Sequence, residues 1–372
     1  MKMPKTQLAP QHLIIMGIRG IPAAHGGFET FAERLALYLT EIGWKVTVYC
    51  QGSDTGKRKV DEWQGINRIH IPAKGDTSLA SVFFDTRATV DVLKIPGTIL
   101  TLGYNTGFLC GLLAIYGRKN IINMDGIEWK RAKYGSGARA YLWLNERIAA
   151  WTGTQLIADH PAIGDHLATR VRRDKITVIP YGAPEIATAD PTLLDHYELV
   201  PFRYMTLIAR AEPENSILEI VRGFSAKKRG IQLVVLGKYS QEHDYQRQVL
   251  AAASGEVKFI GPVYDASRVQ TLRFYSMCYI HGHQVGGTNP SLVEALGAGN
   301  PVIAHDNAFN RWVAGEAGLW FSGSDDVANH IDAIISDPTL QRRLSSAARE
   351  RWLSNFTWPA ILNAYRTLMS TS

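Results

Sequence analysis

The chain has 372 residues, 46% hydrophobic and 20% charged, a globular composition that excludes a disordered or coiled-coil chain. Its 40 Lys and Arg against 34 Asp and Glu leave a formal charge of +6, too modest to define a partner until its location is known. Cys50, Cys110 and Cys278 form no Cys-x-x-Cys pair, which argues against a disulfide framework or thiolate metal site and suits a reducing compartment.

At about 100–200 residues per domain, the length predicts two domains. The N-terminus carries two lysines but no apolar segment before residue 13, so a signal peptide is not expected. Residues 13–16 read as a strand, followed by a Gly-rich turn and a helix. Phe28, Phe31, Ala32, Leu35, Leu39 and Ile42 recur at 3–4 spacing in that helix, so one face must be buried. Gly43 ends it, and residues 45–50 return as a strand. Further strands are expected at 66–71, 99–102, 121–124, 155–158 and 175–179. Residues 95–116 have roughly the length of a membrane span, but Pro96 and four glycines make them a strand, a turn and a buried helix.

Residues 181–202, with Gly182, Pro184, Pro191 and Pro201, read as a linker. The alternation then resumes, with strands expected at 204–209, 232–236, 257–260, 278–281 and 301–305, and a last helix at 358–369. The fold class is therefore α/β, two doubly wound Rossmann-like domains over residues 1–185 and 186–355, with ligands at the carboxyl ends of the strands.

Several segments carry chemistry. Gly17-Ile18-Arg19-Gly20-Ile21-Pro22, then Gly26-Gly27-Phe28, joins a strand to a helix where free N–H groups favour an anion; a tight turn without a ligand is the alternative. The spacing is not Gly-x-Gly-x-x-Gly, which weakens a dinucleotide cofactor. Asp125, in Asp125-Gly126-Ile127-Glu128-Trp129, follows a strand, where its carboxylate would orient a substrate hydroxyl or form an Asp-Gly turn. Arg210 ends another strand, a position for a phosphate clamp. From His281 to Ala304 a strand gives way to a glycine-rich loop, then to a helix opening near Pro290 with Glu294 one turn inside, a phosphate cradle beside an acceptor for ribose hydroxyls. His281 and His283 have no third ligand nearby and read as cleft or core histidines.

Gly-Thr-Asn-Pro-Ser-Leu-x-Glu-Ala-Leu-x-x-Gly-x-Pro-Val-Ile-Ala at 287–304 resembles the signature of retaining, nucleotide-sugar-dependent glycosyltransferases of family 4, which have the GT-B fold. Gly-x-Arg-Gly-x-Pro with Gly-Gly-Phe-Glu-Thr-Phe, and Asp-Gly-x-Glu-Trp-Lys-Arg, resemble the bacterial rhamnosyltransferase subgroup that builds surface polysaccharides. The resemblance runs from residue 13 to the terminal helix and implies that residues 356–372 pack back toward the N-terminal domain. It implies donor binding by Arg210, Glu214, Asn215, Lys238, Phe259, Ile260, Gly261, Gly287, Thr288, Asn289, Pro290, Ser291 and Glu294. Glu294 would bind the ribose, Arg210 the diphosphate, and 259–261 would pack on the base. Asp125 would act near the acceptor, with Glu128 and Trp129 on that side, and Arg19, Gly20, Gly26, Gly27 and Phe28 would form the N-terminal glycine loop. Two positions depart from the family: Gly286 replaces a first glutamate and Asn215 replaces a lysine, for which Lys238 is a substitute cation.

The implied reaction moves a deoxyhexose, L-rhamnose from dTDP-L-rhamnose, to a sugar hydroxyl of a lipid-linked or growing polysaccharide, with retained configuration. No Asp-x-Asp occurs, so no metal is expected, and no cofactor. A nucleotide-sugar epimerase, a transferase using a UDP- or GDP-linked hexose, an NAD oxidoreductase and a non-catalytic binding module are the alternatives. Arg118, Lys119, Lys130, Arg131, Lys133 and Arg139, interleaved with Trp129, Tyr134, Tyr141 and Trp143 and followed by Arg170, Arg172, Arg173 and Lys175, suit an anionic membrane surface or a solvated face. No nucleic-acid motif accompanies them. A cytoplasmic protein, peripheral at the inner membrane face and acting on a polyprenyl-diphosphate-linked glycan, is the expectation.

Overall fold

The computed structural model describes residues 11–371 apart from 25, 53–55, 74, 76, 132 and 133. The chain divides into two compact units, one running to Ile179 and completed by the chain from Ile361, the other Pro180–Ala360. The N-terminal unit contains β1 (His12–Met16), α1 (Gly27–Glu41), β2 (Lys45–Gly52), β3 (Lys59–Trp63), β4 (Ile66–Pro72), α2 (Ser78–Val92), β5 (Thr98–Leu102), α3 (Phe108–Ile115), β6 (Asn120–Asn123), α4 (Ser136–Thr152), β7 (Gln155–Ala158), α5 (Pro161–Ala168) and β8 (Ile176–Val178). Their order in the sheet is β3-β4-β2-β1-β5-β6-β7-β8.

β1 lies at the centre of this sheet, parallel to β2 and β5, and Leu13, Ile14 and Ile15 are fully buried. That explains its continuous apolar run, because a parallel strand covered on both faces has no polar side. Each such side chain contributes about 1.5–3 kcal/mol of burial. α1 closes with Gly43 at φ +90, the Gly43 N–H donating to Thr40 O and Trp44 N–H to Leu39 O. This pair of bonds is a Schellman cap.

β3 is the one antiparallel strand of the sheet and had no counterpart in the sequence reading. Its Lys59, Asp61 and Glu62 are exposed, and charge on an edge strand blocks pairing with other chains while erasing the alternation that marks a strand. Gln64 and Gly65, both at positive φ, form the two-residue turn into β4. Among the described residues no helix is long and apolar enough to cross a membrane, and the 95–116 segment divides into β5, a turn and α3 as expected. The reading of the first ten residues lies outside the described residues.

The second unit contains β9 (Tyr204–Ile208), α6 (Ile217–Ser225), β10 (Gln232–Leu236), α7 (Asp244–Ala251), β11 (Val257–Gly261), α8 (Ala266–Phe274), β12 (Tyr279–His281), α9 (Pro290–Gly297), β13 (Val302–His305), α10 (Ala308–Ala314), β14 (Gly318–Phe321), α11 (Ser324–Ser336) and α12 (Pro338–Asn355). Its sheet runs β11-β10-β9-β12-β13-β14, all parallel. β14, four residues at the edge, was not anticipated. Met205, Leu207, Val221, Phe224, Leu233, Val235 and Ile280 form the core on one face of the sheet. The last helix, α13 (Trp358–Thr371), lays Tyr365 against Phe31 of α1 with ring centroids 4.5 Å apart.

Candidate functional site

The strand order of the second unit reverses between β9 and β12, so the loops after these strands part and leave a crevice at their carboxyl ends. Arg210 follows β9, Lys238 follows β10, Phe259, Ile260 and Gly261 end β11, and residues 282–289 follow β12. All therefore stand on one edge of one sheet. Arg210 and Lys238 are exposed and have no ion pair among the described residues.

The loop carrying Arg210 is held from inside. Asn215 is buried, and its Nδ2 donates to the Arg210 carbonyl at 2.8 Å. Where the family places a lysine, this chain has a side chain that shapes the arginine's loop. Gln284 joins the two loops, its N–H donating to Glu214 O at 2.9 Å and its Nε2 to Ser216 Oγ at 2.9 Å. Gly282 allows the approach: a Cβ there would lie 1.9 Å from Asn215 O. Gly286, at φ +138, faces open space.

α9 begins at Pro290, with Asn289 as its cap, the Asn289 side chain accepting from Ser291 N–H at 2.9 Å. Thr288 is buried, Gly287 half-buried. Glu294, one turn inside, is 34% exposed and pairs at 2.7 Å with Arg273, which is 2% exposed. Arg273 also donates to Ser291 O at 3.0 Å. This buried arginine was missed, since it sits 21 residues from Glu294 on another helix and no local spacing links them. His281 is fully buried and stacks on His283 at 4.4 Å; burial, then the charge of His283, holds its pKa well below the ordinary value.

In the N-terminal unit, Asp125 stands two residues beyond β6 at φ +53, its N–H donating to Asn123 Oδ1 at 3.0 Å. Asn123 in turn donates to Tyr365 OH at 2.8 Å, so α13 braces this loop. The buried Tyr104 hydroxyl donates to Gly126 O at 3.0 Å and accepts from Glu128 N–H at 2.8 Å. Glu128 pairs with Arg131 at 3.0 Å. Trp129 Nε1 donates to Glu146 at 2.5 Å, and the same carboxylate receives His166 and Arg170, each at 3.0 Å. Burial opposes ionisation of Glu146, but the bonds from His166 and Trp129 hold its pKa below the usual carboxylate value. Glu146 carried no motif.

The glycine loop after β1 is close-packed. Gly20, at φ +136, would place a Cβ 2.8 Å from Cys50 Sγ. Arg19 N–H donates to Glu29 at 3.4 Å. Gly26 is exposed and extended, Gly27 starts α1, and Phe28 lies under Gly103. A cavity of about 450 Å³ opens here, lined by Arg19 but also by Asp85, Asn105, Thr106, Tyr134 and Tyr141. Of the expected site residues, Arg19 alone lines it.

The basic cluster is largely committed inside its unit. Arg118 donates to the carbonyls of Val92, Ile95 and Gly97, and Lys175 to those of Ala150 and Trp151. Arg170 pairs with Glu146, Arg172 with Asp174 and Arg173 with Asp165. Lys133 lies outside the described residues. Several exposed apolar side chains lie on α2, α3 and α4, among them Leu79, Phe83, Ile115, Trp143 and Trp151, with Arg87 over Phe83 and Arg147 over Trp143.

Residues 202–351 match the family model Glycosyl transferases group 1, and residues 10–184 match a domain of unknown function, DUF1972. A phosphatidyl-myo-inositol mannosyltransferase of Mycolicibacterium smegmatis is 26% identical over 204 residues, 51% of this chain and 51% of that protein. This chain spans about half the length of that curated relative. Sucrose-phosphate synthase from Thermosynechococcus elongatus superposes with a TM-score of 0.82 at 18% identity, over 97% of this chain and 100% of that one. Anabaena Alr3699/HepE, solved with UDP-glucose, gives 0.76 at 15% identity, over 97% and 100%. These likenesses establish the fold as GT-B, two Rossmann-like α/β domains.

Proposed function

We propose that the protein transfers a sugar from a nucleoside diphosphate donor to a hydroxyl of a glycan acceptor. The observation that carries this reading is the placing of Arg210 and the 282–289 loop at the switch point of one parallel sheet, with Lys238 after the next strand and neither cation ion-paired among the described residues, inside the stretch that matches the group 1 glycosyl transferase model. Arg210 and Lys238 stabilise the leaving diphosphate, where charge develops in the transition state. The amides of 287–289 and the N-terminus of α9 add the same polarity. Glu294, fixed by Arg273, accepts from the ribose hydroxyls, and 259–261 flank the base. Configuration is retained by front-face displacement, with Asp125 orienting the acceptor hydroxyl and the departing phosphate taking its proton.

Two donor sugars have support. The motifs at 17–31 and 125–131 resemble those of rhamnosyltransferases and favour dTDP-L-rhamnose. The relative named as a mannosyltransferase and the neighbour solved with UDP-glucose favour a hexose. The acceptor is a lipid-linked or growing surface polysaccharide, and exposed aromatic and basic side chains on α2–α4 support peripheral attachment to an anionic, cytoplasmic membrane face. The test is mass-spectrometric detection of transfer from dTDP-L-rhamnose, UDP-glucose and GDP-mannose to a lipid-extract acceptor. A product with one of the three is expected; donor turnover without any acceptor adduct would refute transfer and favour an epimerase.

A further inference from the structure

The sheet of the N-terminal unit has its own switch point, between β1 and β5, whose following loops leave in opposite directions. The cavity of about 450 Å³ sits there, with Gly17, Ile18 and Arg19 after β1, and Gly103, Asn105 and Thr106 after β5. α2 forms a further wall with Ser78, Ser81 and Asp85.

Asp85 is an unusual residue for this position. α2 buries Ala80, Phe84, Ala88 and Val92, and Asp85 stands on the flank of that stripe. Among the described residues its carboxyl has one hydrogen bond, from Thr106 Oγ1 at 2.9 Å, and no cation. Burial pushes its pKa up to about 6, against which the Thr106 bond works only in part. This carboxyl is half-buried and lines the cavity with one bond already made to Thr106, so it is placed to hydrogen-bond a group that enters. The rest of the lining says what that group is. Tyr134 and Tyr141 offer aromatic faces, while Gln51, Ser81 and Asn105 offer neutral hydroxyl and amide groups. Aromatic side chains beside neutral hydrogen-bonding groups suit a polyhydroxyl ring, and the two carboxylates Asp85 and Glu29 outnumber the one guanidinium of the lining, Arg19, so its charge does not favour an anion. The volume falls in the range of small-molecule sites, about 300–1,000 Å³.

We propose that this cavity holds one hydroxylated sugar ring of the acceptor, and that Asp85, backed by Thr106, is a specificity-determining residue that hydrogen-bonds a hydroxyl of that ring. The assignment rests on the transferase reading and adds to it the place and chemistry of acceptor recognition.

The test uses the full chain and saturation-transfer NMR with the methyl glycosides of L-rhamnose, D-glucose, D-galactose, D-mannose and N-acetylglucosamine, with UDP and dTDP titrated separately. At least one glycoside binds the wild type, Asp85→Leu weakens it by about tenfold or more, and the near-isosteric Asp85→Asn stays within a few-fold. Nucleotide affinity is the same in all three proteins. In turnover, Asp85→Leu raises the acceptor KM at unchanged donor KM. Glycoside binding that survives Asp85→Leu, or a wild type that binds none of the panel, overturns the assignment while nucleotide binding still supports the transferase. A wild type that binds neither nucleotide overturns the transferase reading and the acceptor role with it.

Discussion

Replacing Asp85 by Asn should stabilise the N-terminal unit, and by an amount that grows with pH. Burial raises the carboxyl from an ordinary 3.8 to about 6, so between these values the folded chain binds more protons than the unfolded chain. By linkage, wild-type stability must then fall as pH rises through that window, reaching its full penalty above about pH 6. The interval of about two pH units corresponds to about 3 kcal/mol. Asn keeps the shape and the Thr106 partner but does not ionise. Asp85→Asn is therefore expected to exceed wild type by about 1 kcal/mol at pH 4.5 and about 3 kcal/mol at pH 7.5. For a unit of this size the gap at pH 7.5 is a rise of roughly 6–12 °C in Tm. Differential scanning calorimetry of both proteins at the two pH values measures it. A difference that does not change with pH, or a wild type more stable at pH 7.5, would refute the description of Asp85 as a half-buried acid with no cation beside it among the described residues.

Other perturbations have equally definite outcomes. Gly282→Ala drives a Cβ to within 1.9 Å of Asn215 O, so it should displace the Arg210 loop and weaken UDP or dTDP binding at least about tenfold, read by titration calorimetry. Glu146→Gln leaves His166 and Arg170 without their carboxylate in a buried site, and should cost about 3 kcal/mol in urea denaturation while quenching or shifting Trp129 fluorescence. Glu294→Gln strips Arg273, 2% exposed, of its counter-ion, and should lower thermal stability even without nucleotide, by about 1–3 kcal/mol. An unchanged melt would mean that Glu294 has no structural share in the site.

What the sequence made legible follows from where information is local. β1 reads as a strand because burial on both faces leaves an unbroken apolar run over residues 13–16, and the 282–304 motif reads as a cradle because strand, loop and helix are contiguous. β3 was hidden by the charges that protect an edge, and β14 because this edge strand opens on a glycine and is only half-buried over its first three residues. Asp85 carries no motif, since a lone carboxylate beside an apolar stripe has no distinctive period. Arg273 and Glu146 escaped notice because their partners come from other helices. Arg118 misled in the opposite sense: its charge suggested an outward surface, whereas its guanidinium binds three backbone carbonyls around the end of α2 and the start of β5.

The central claim is that the carboxyl edge of the second sheet is a nucleoside diphosphate site built on Arg210. Calorimetric titration of UDP and dTDP into wild type and Arg210→Ala tests it directly. Binding to the wild type that weakens at least about tenfold on loss of the guanidinium is the predicted result, since a charge-assisted contact to phosphate is worth roughly 1.5–3 kcal/mol. Equal affinity in the two proteins, or no nucleotide binding to either, would contradict it.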